Sequence, residues 1–285
     1  MNPRKRDELI LTGPTLAWLL FFFAIPALAM VAISFRPTTP YGGVGEGVSL
    51  DAWKALGNRH YPLILWRTVW LSVVTTVVCL AISLPIVYLL GKMQGRWRAI
   101  LLVLVIIPFW TNFVIRVAAW RVLLHPEGIV RQTLISWGII EPDTLLLYHE
   151  GAVLMVMVYT YLPFAILPLY AAAERFDFGL MEAARDLGAS GFAAFSKVFI
   201  PGISRGLATA TMLVLIPALG SYLIPDLVGG PGGEMIGNKI AQRTLGDRNL
   251  PQAATLSVAL LIITLIPLFA ISHLNRRERR GAIAG

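Results

Sequence analysis

Few side chains in this chain could do chemistry, and they are widely spaced. Asp226 follows Pro225 near the end of an apolar run, with Tyr222 four residues before it. On a helix that spacing sets ring and carboxylate on one face. Such a pair suits an organic ammonium group: the carboxylate balances its charge, and the ring face adds a cation–π contact of about 0.5–2 kcal/mol. The alternative is that Asp226 only caps the end of the run in water. Trp110 and Asn112 follow Pro108, and Tyr159 and Tyr161 precede Pro163. Polar and aromatic groups beside helix-breaking prolines are candidate linings of a path, although aromatics are also common where apolar helices meet water. Arg116 would repel a cation, so it is expected to pair with a carboxylate or to reach out of the run. Arg121 is expected to snorkel outward.

Enzyme signatures are missing. No G-x-x-x-x-G-K-[ST] occurs, so the chain has no phosphate-cradling loop of that kind. His149-Glu150 lacks a second histidine at the zinc-protease spacing, and Gly188-Ala189-Ser190-Gly191 is one residue short of a nucleophile elbow. His60, His125, His149 and His273 sit at the edges of apolar runs, where a solvated imidazole is the default. The single cysteine, Cys79, excludes an internal disulfide and a cysteine-based zinc cluster. The glycine runs Gly42–Gly47 and Gly229–Gly233 read as flexible turns, since no strand precedes them. No catalytic residue, metal site or cofactor is expected in this chain.

The elements that must carry these residues are set by apolarity. Of 285 residues 56% are hydrophobic and only 14% charged, with mean hydropathy +0.71. An average soluble domain is about 25% charged, so the composition argues against a soluble enzyme. Runs of about 20 apolar residues can cross a bilayer as helix. Six are expected, at about 13–35, 68–91, 99–124, 151–173, 204–228 and 253–274, making residues 1–285 one all-α membrane domain. Pro217 and Pro225 interrupt the fifth. With the N-terminus inside, the inner segments hold fourteen of the 24 Lys and Arg and the outer segments eight. The positive-inside rule therefore puts both termini in the cytoplasm. The formal charge of +8 is mostly this asymmetry, and no basic patch with interleaved aromatics points to nucleic acid. The outer segment Arg36–Arg67 is long for a simple connection. Val130, Leu134 and Trp137 fall at helical spacing, so a short helix is expected to lie at the outer interface.

The inner loop at about 174–203 is too polar to span, yet it is patterned. Leu180, Ala184 and Leu187 predict an amphipathic helix, and Phe192, Phe195 and Phe199 a second one. Gly188, with Ser190 and Gly191 after it, supplies a left-handed cap and a sharp turn between them. Ala183 and Ala184 are small enough to let another surface approach. Pro201 then breaks away toward the fifth span. The pattern is that of a helix–turn–helix built to dock. Farther on, Gly202 and Gly206 are spaced for close helix packing, or merely mark a loop-to-helix junction.

Glu182-Ala183-Ala184-x-x-x-Gly188, followed after nine residues by Val198-x-Ile200-Pro201, resembles the EAA loop of ABC-importer permeases. Members usually carry Ile and Leu where this chain has Val198 and Ile200. The resemblance extends over most of the chain and is strongest to spermidine/putrescine permeases. It rests on Pro108–Asn112 with Ile115-Arg116, Leu162-Pro163-Phe164 with Leu167–Tyr170, Ile216–Gly220 running on to Ile224–Gly230, Met235–Asn238, and Asp247-Arg248. It implies an all-α permease of six transmembrane helices with a cytoplasmic coupling loop, in a bacterial inner membrane. Glu182, Ala183, Ala184 and Gly188 would then transmit force to an ATPase and do no chemistry. The implied partners are two ATPase subunits holding ATP and Mg²⁺, a second related permease and an extracytoplasmic substrate-binding protein. Asp226, Tyr222, Trp110, Asn112, Tyr159 and Tyr161 are the candidate substrate path, for a polyamine. Iron, thiamine, phosphonate or another small solute is the alternative cargo within the family. A gradient-driven transporter or channel without an ATPase is the alternative mechanism.

Overall fold

A backbone in lipid must satisfy its own polar groups, which leaves an apolar chain little choice but helix. The computed structural model describes residues 12–281, with side chains to Phe269, and is helical apart from loops and one isolated bridge between Thr38 and Val44. In chain order the helices are α1 (Thr12–Ser34), α2 (Asp51–Ala55), α3 (His60–Lys92), α4 (Arg96–Ile106) and α5 (Phe113–Leu123). Next come α6 (Ile129–Ser136), α7 (Glu150–Ala173), α8 (Gly179–Asp186), α9 (Gly191–Gly202) and α10 (Ser204–Leu219). The last three are α11 (Leu223–Val228), α12 (Ile236–Ala241) and α13 (Leu250–Gly281).

Helices α1, α3, α7 and the Leu250–Phe269 part of α13 are each long and apolar enough to cross a membrane. Two bent pairs add a crossing each if counted as single spans, giving up to six. In one, α4 and its 3-10 turn Ile107–Trp110 meet α5 at 92°. In the other, α9 meets α10 at 74°. The expected limits differ from these at two places. Helix α3 starts at His60, eight residues before its apolar run, and Tyr61 and Ile64 are already buried there. The fifth run is not continuous to Val228: α10 stops at Leu219 and α11 restarts at Leu223. Pro217 and the Gly220-Ser221 turn account for the break. The expected outer interfacial helix is α6.

The chain divides into two compact units. One comprises the chain to Leu63 with Lys239–Ile263. In it the long 36–63 connection is ordered rather than loose. Gly43 N–H donates to the Arg248 carbonyl (2.8 Å), Thr38 Oγ1 bonds Asn249 Oδ1 (2.8 Å), and Phe35 stacks on Trp53. Tyr61 Oη receives Gln252 Nε2 at 2.6 Å and Arg243 at 3.0 Å. Burial opposes the charge on Arg243, but Tyr61 and Asp247 outweigh it and hold the guanidinium above its usual range.

The other unit comprises Ile64–Asn238 with Thr264 onward and is centred on α7. Buried Val153, Val156, Met157, Ala165 and Leu169 make α7 apolar on several sides, as an interior helix must be. It packs on the Ala210, Val214 and Ala218 side of α10. The approach is close because Gly206 has no side chain: a Cβ there would lie 2.4 Å from the Cβ of Ala172. Gly202 faces the Phe176 ring in the same way, at 2.3 Å. The glycine pair therefore serves packing as well as the junction. Gly229–Gly233, expected as a flexible turn, is packed instead. Cβ atoms at Gly229 and Gly233 would fall 2.8 Å from the Val153 side chain, and Tyr148 N–H is bonded to the Val228 carbonyl at 2.8 Å. Cys79 is buried, its Sγ 3.6 Å from the Val158 carbonyl.

Candidate functional site

The 174–203 loop folds as two helices on an aromatic base. Helix α8 ends through hydrogen bonds from Leu187, Gly188 and Ala189 to the carbonyls of Ala183, Arg185 and Ala184. Gly188 closes the cap at φ +90°, where an L side chain is strained. Ser190 then caps α9, its hydroxyl accepting from Ala193 N–H at 3.2 Å. Beneath them Phe178, Phe195 and Phe199 meet Tyr88 of α3, and Phe176 meets Phe178 and Phe199, with 5.2–6.1 Å between ring centroids. Lys92 lies over the Tyr88 ring at 4.7 Å.

The two apolar stripes are covered unevenly. Met181 and Phe199 are fully covered and Ala184 is partly covered. Leu180 is half exposed, Leu187 is 90% exposed and Phe192 is 80% exposed. The phenylalanines of the connection and Tyr88 fill the core, so the leucines at the expected spacing are left outside. Glu182, Ala183 and Gly188 are exposed with them. The result is an apolar, small-residue tip on an aromatic base, which no described residue of this chain covers.

The second feature is the 92° break between α4 and α5. Pro108 cannot donate to the helix, and the 3-10 turn ends at Trp110. Asn112 has a structural role: its side chain accepts from Val114 N–H at 2.8 Å and caps α5. Thr111 Oγ1 and Arg116 both donate to the Pro108 carbonyl, at 2.7 Å each. Arg116 lies over the rings of Phe109 and Phe113. It was expected to seek a carboxylate or to snorkel. Within the described residues the break supplies its partners, a carbonyl and two ring faces. Trp110 is left 82% exposed.

The third feature surrounds Asp226. Tyr222 precedes α11 and its carbonyl receives Asp226 N–H at 3.0 Å, so the two residues are one turn apart and both side chains are exposed. Buried Asn238 holds the pair. Its Nδ2 donates to the Tyr222 carbonyl at 3.0 Å and to Asp226 Oδ1 at 3.4 Å. Its Oδ1 accepts from Met235 N–H, while Ile236 N–H donates to Thr68 Oγ1. Neither Asn238 nor Thr68 stood out as a site residue from sequence, although Asn238 lies in the Met235–Asn238 stretch that carried the resemblance. No periodicity links it to Asp226, twelve residues away.

Tyr159 and Tyr161 part company. Tyr159 is partly exposed and packs edge-on against Trp120 at 5.2 Å. Tyr161 is 6% exposed, and its hydroxyl donates to the Pro217 carbonyl at 3.2 Å. That carbonyl lies in the last turn of α10, where carbonyls lack helical donors. The geometry of Tyr161 is therefore that of a packing residue. Among the described residues no hydrogen bond or ring contact gathers Trp110, Tyr159 and Asp226 into one cluster.

The chain as a whole is similar to known proteins. The spermidine/putrescine transport system permease protein PotB of Haemophilus influenzae is 36% identical over 264 residues, covering 93% of this chain and 92% of that one. A bacterial ABC transporter involved in the import of the acidic polysaccharide alginate has the same fold, with TM-score 0.74 over 96% of both chains at 18% identity. A bacterial alginate ABC transporter in complex with an alginate pentasaccharide-bound periplasmic protein gives TM-score 0.71 over 96% of both chains, also at 18% identity. The family model described as binding-protein-dependent transport system inner membrane component matches residues 8–280. This chain, a multi-pass membrane permease, belongs to that family.

Proposed function

We propose that this permease forms part of the path for a polyamine in an ATP-driven importer and is driven through its 174–203 loop. The observation that carries the coupling is the tip itself. Leu180, Leu187 and Phe192 stand in the open around Gly188, which is left-handed and has nothing within 4 Å of its would-be Cβ. Exposed apolar groups on a firmly seated loop mark a docking surface. Glu182, Ala183, Ala184 and Gly188 would meet a separate ATPase there, two copies per complex, which would hold ATP and Mg²⁺. The polyamine reading is supported by the 36% identical relative and by the Asp226–Tyr222 pair, a carboxylate and a ring suited to an ammonium group. The family's dependence on a binding protein supports an extracytoplasmic partner, and a second related permease would complete the path. The basic excess on the inner segments supports cytoplasmic termini. Membership of this family replaces the gradient-driven alternative.

The test is ATP hydrolysis by the reconstituted complex with binding protein and spermidine, putrescine or a non-polyamine solute. Polyamine-stimulated hydrolysis that Gly188→Pro abolishes, with the complex still assembled, is the expected result. Proline cannot adopt the φ of +90° and removes the N–H that bonds Arg185. Stimulation by another solute alone would discard the polyamine, and stimulation unaffected by Gly188→Pro would discard the coupling role of the turn.

A further inference from the structure

A cavity of about 860 Å³ opens beside the 74° bend between α9 and α10, where α7 ends and α10 begins. It lies at the ends of two spans, hence at the level where hydrocarbon gives way to headgroups. Its walls combine two unlike surfaces. Pro168, Ala171 and Ala172 of α7 form an apolar side. Arg175 and Arg205 both line the same cavity, and neither side chain has an ion-pair or hydrogen-bond partner among the described residues. Asp177 also lines it, but its carboxylate accepts Gly179 N–H at 2.9 Å and is committed to the start of α8.

The geometry points to an anionic phospholipid bound here, its phosphate between Arg175 and Arg205 and one acyl chain along the α7 wall. A single interfacial arginine needs only to snorkel. Two that line one cavity, with an apolar wall running toward the bilayer, match the phosphate and the tail of one ligand. Guanidinium is the side chain best shaped for phosphate oxygens, and basic pockets between spans take lipid headgroups. The cavity adjoins the bend and shares Phe176 with the loop base. A seated lipid would thus brace the joint through which the loop moves α10.

Native mass spectrometry of the purified complex, titrated with phosphatidylglycerol, phosphatidylcholine or soluble glycerol phosphate, tests this. Phosphatidylglycerol should be retained several-fold better than phosphatidylcholine. Arg175→Gln with Arg205→Gln should reduce it to the phosphatidylcholine level, and Arg175→Lys with Arg205→Lys should restore much of it. Ala171→Phe, which fills the apolar wall and leaves both charges, should also lower retention and so stands in if the double variant fails to assemble. Equal retention of the two lipids, or retention unchanged in the glutamine variant, would overturn the proposal. Retention of glycerol phosphate equal to that of the lipid would reject a lipid source. Loss of retention when the ATPase assembles would assign the arginines to a protein contact.

Discussion

Asp226 and Tyr161 stand for two kinds of polar group in a membrane chain, and single substitutions separate them. Asp226 is exposed and steadied by Asn238, so its charge is free for a ligand. If the ammonium group of a polyamine pairs with it, Asp226→Asn should raise the transport KM about tenfold, equivalent to about 1.4 kcal/mol, with the complex intact. Uptake assays across a spermidine series would show it. An unchanged KM would return Asp226 to the role of a solvated cap. Tyr161 is committed to the Pro217 carbonyl. Tyr161→Phe should leave KM alone and lower thermal stability, since an unpaired buried carbonyl costs about 1–3 kcal/mol. Sequence placed both residues on one candidate path because each lies near a proline. Only the three-dimensional partner distinguishes them.

At the scale of elements, two glycines separate two kinds of constraint. Gly188 has open space around it and an unusual torsion; Gly206 has an ordinary torsion and no space. Gly188→Ala should strain the turn by about 1–2 kcal/mol, and should show as reduced ATPase stimulation with normal assembly. Gly206→Val should force α7 and α10 apart at a cost of about 1–3 kcal/mol. Its first sign should be a lower melting temperature of the permease itself. A result the other way round, with Gly188→Ala melting the protein and Gly206→Val only uncoupling it, would contradict both assignments. The turn at Gly188 was legible in sequence because the torsion is local and glycine announces it. The buried face of α8 was not. Its pattern fits Leu180 and Leu187, but Tyr88 from α3 and the phenylalanines around it occupy the core, and that contest is settled far along the chain.

At the scale of the whole molecule, lipid made the spans legible and bends blurred their edges. Each straight crossing follows from length and apolarity alone, as α7 shows by starting at Glu150 and ending at Ala173. Prolines 108 and 201 marked where helices could break, but no local rule yields 92° or 74°. Sidedness was read from charge, and it can be tested directly. A cysteine in place of exposed Asp143, in the 137–149 connection, should react with a membrane-impermeant maleimide added outside intact cells. One at exposed Ser190 should react only after the membrane is opened. Reversed labelling would invert the topology. The buried thiol of Cys79 gives these experiments an unusual simplicity. It is the chain's only cysteine and is sealed between helices. The natural protein is therefore its own silent background: each introduced thiol can report alone, with nothing first removed from the core.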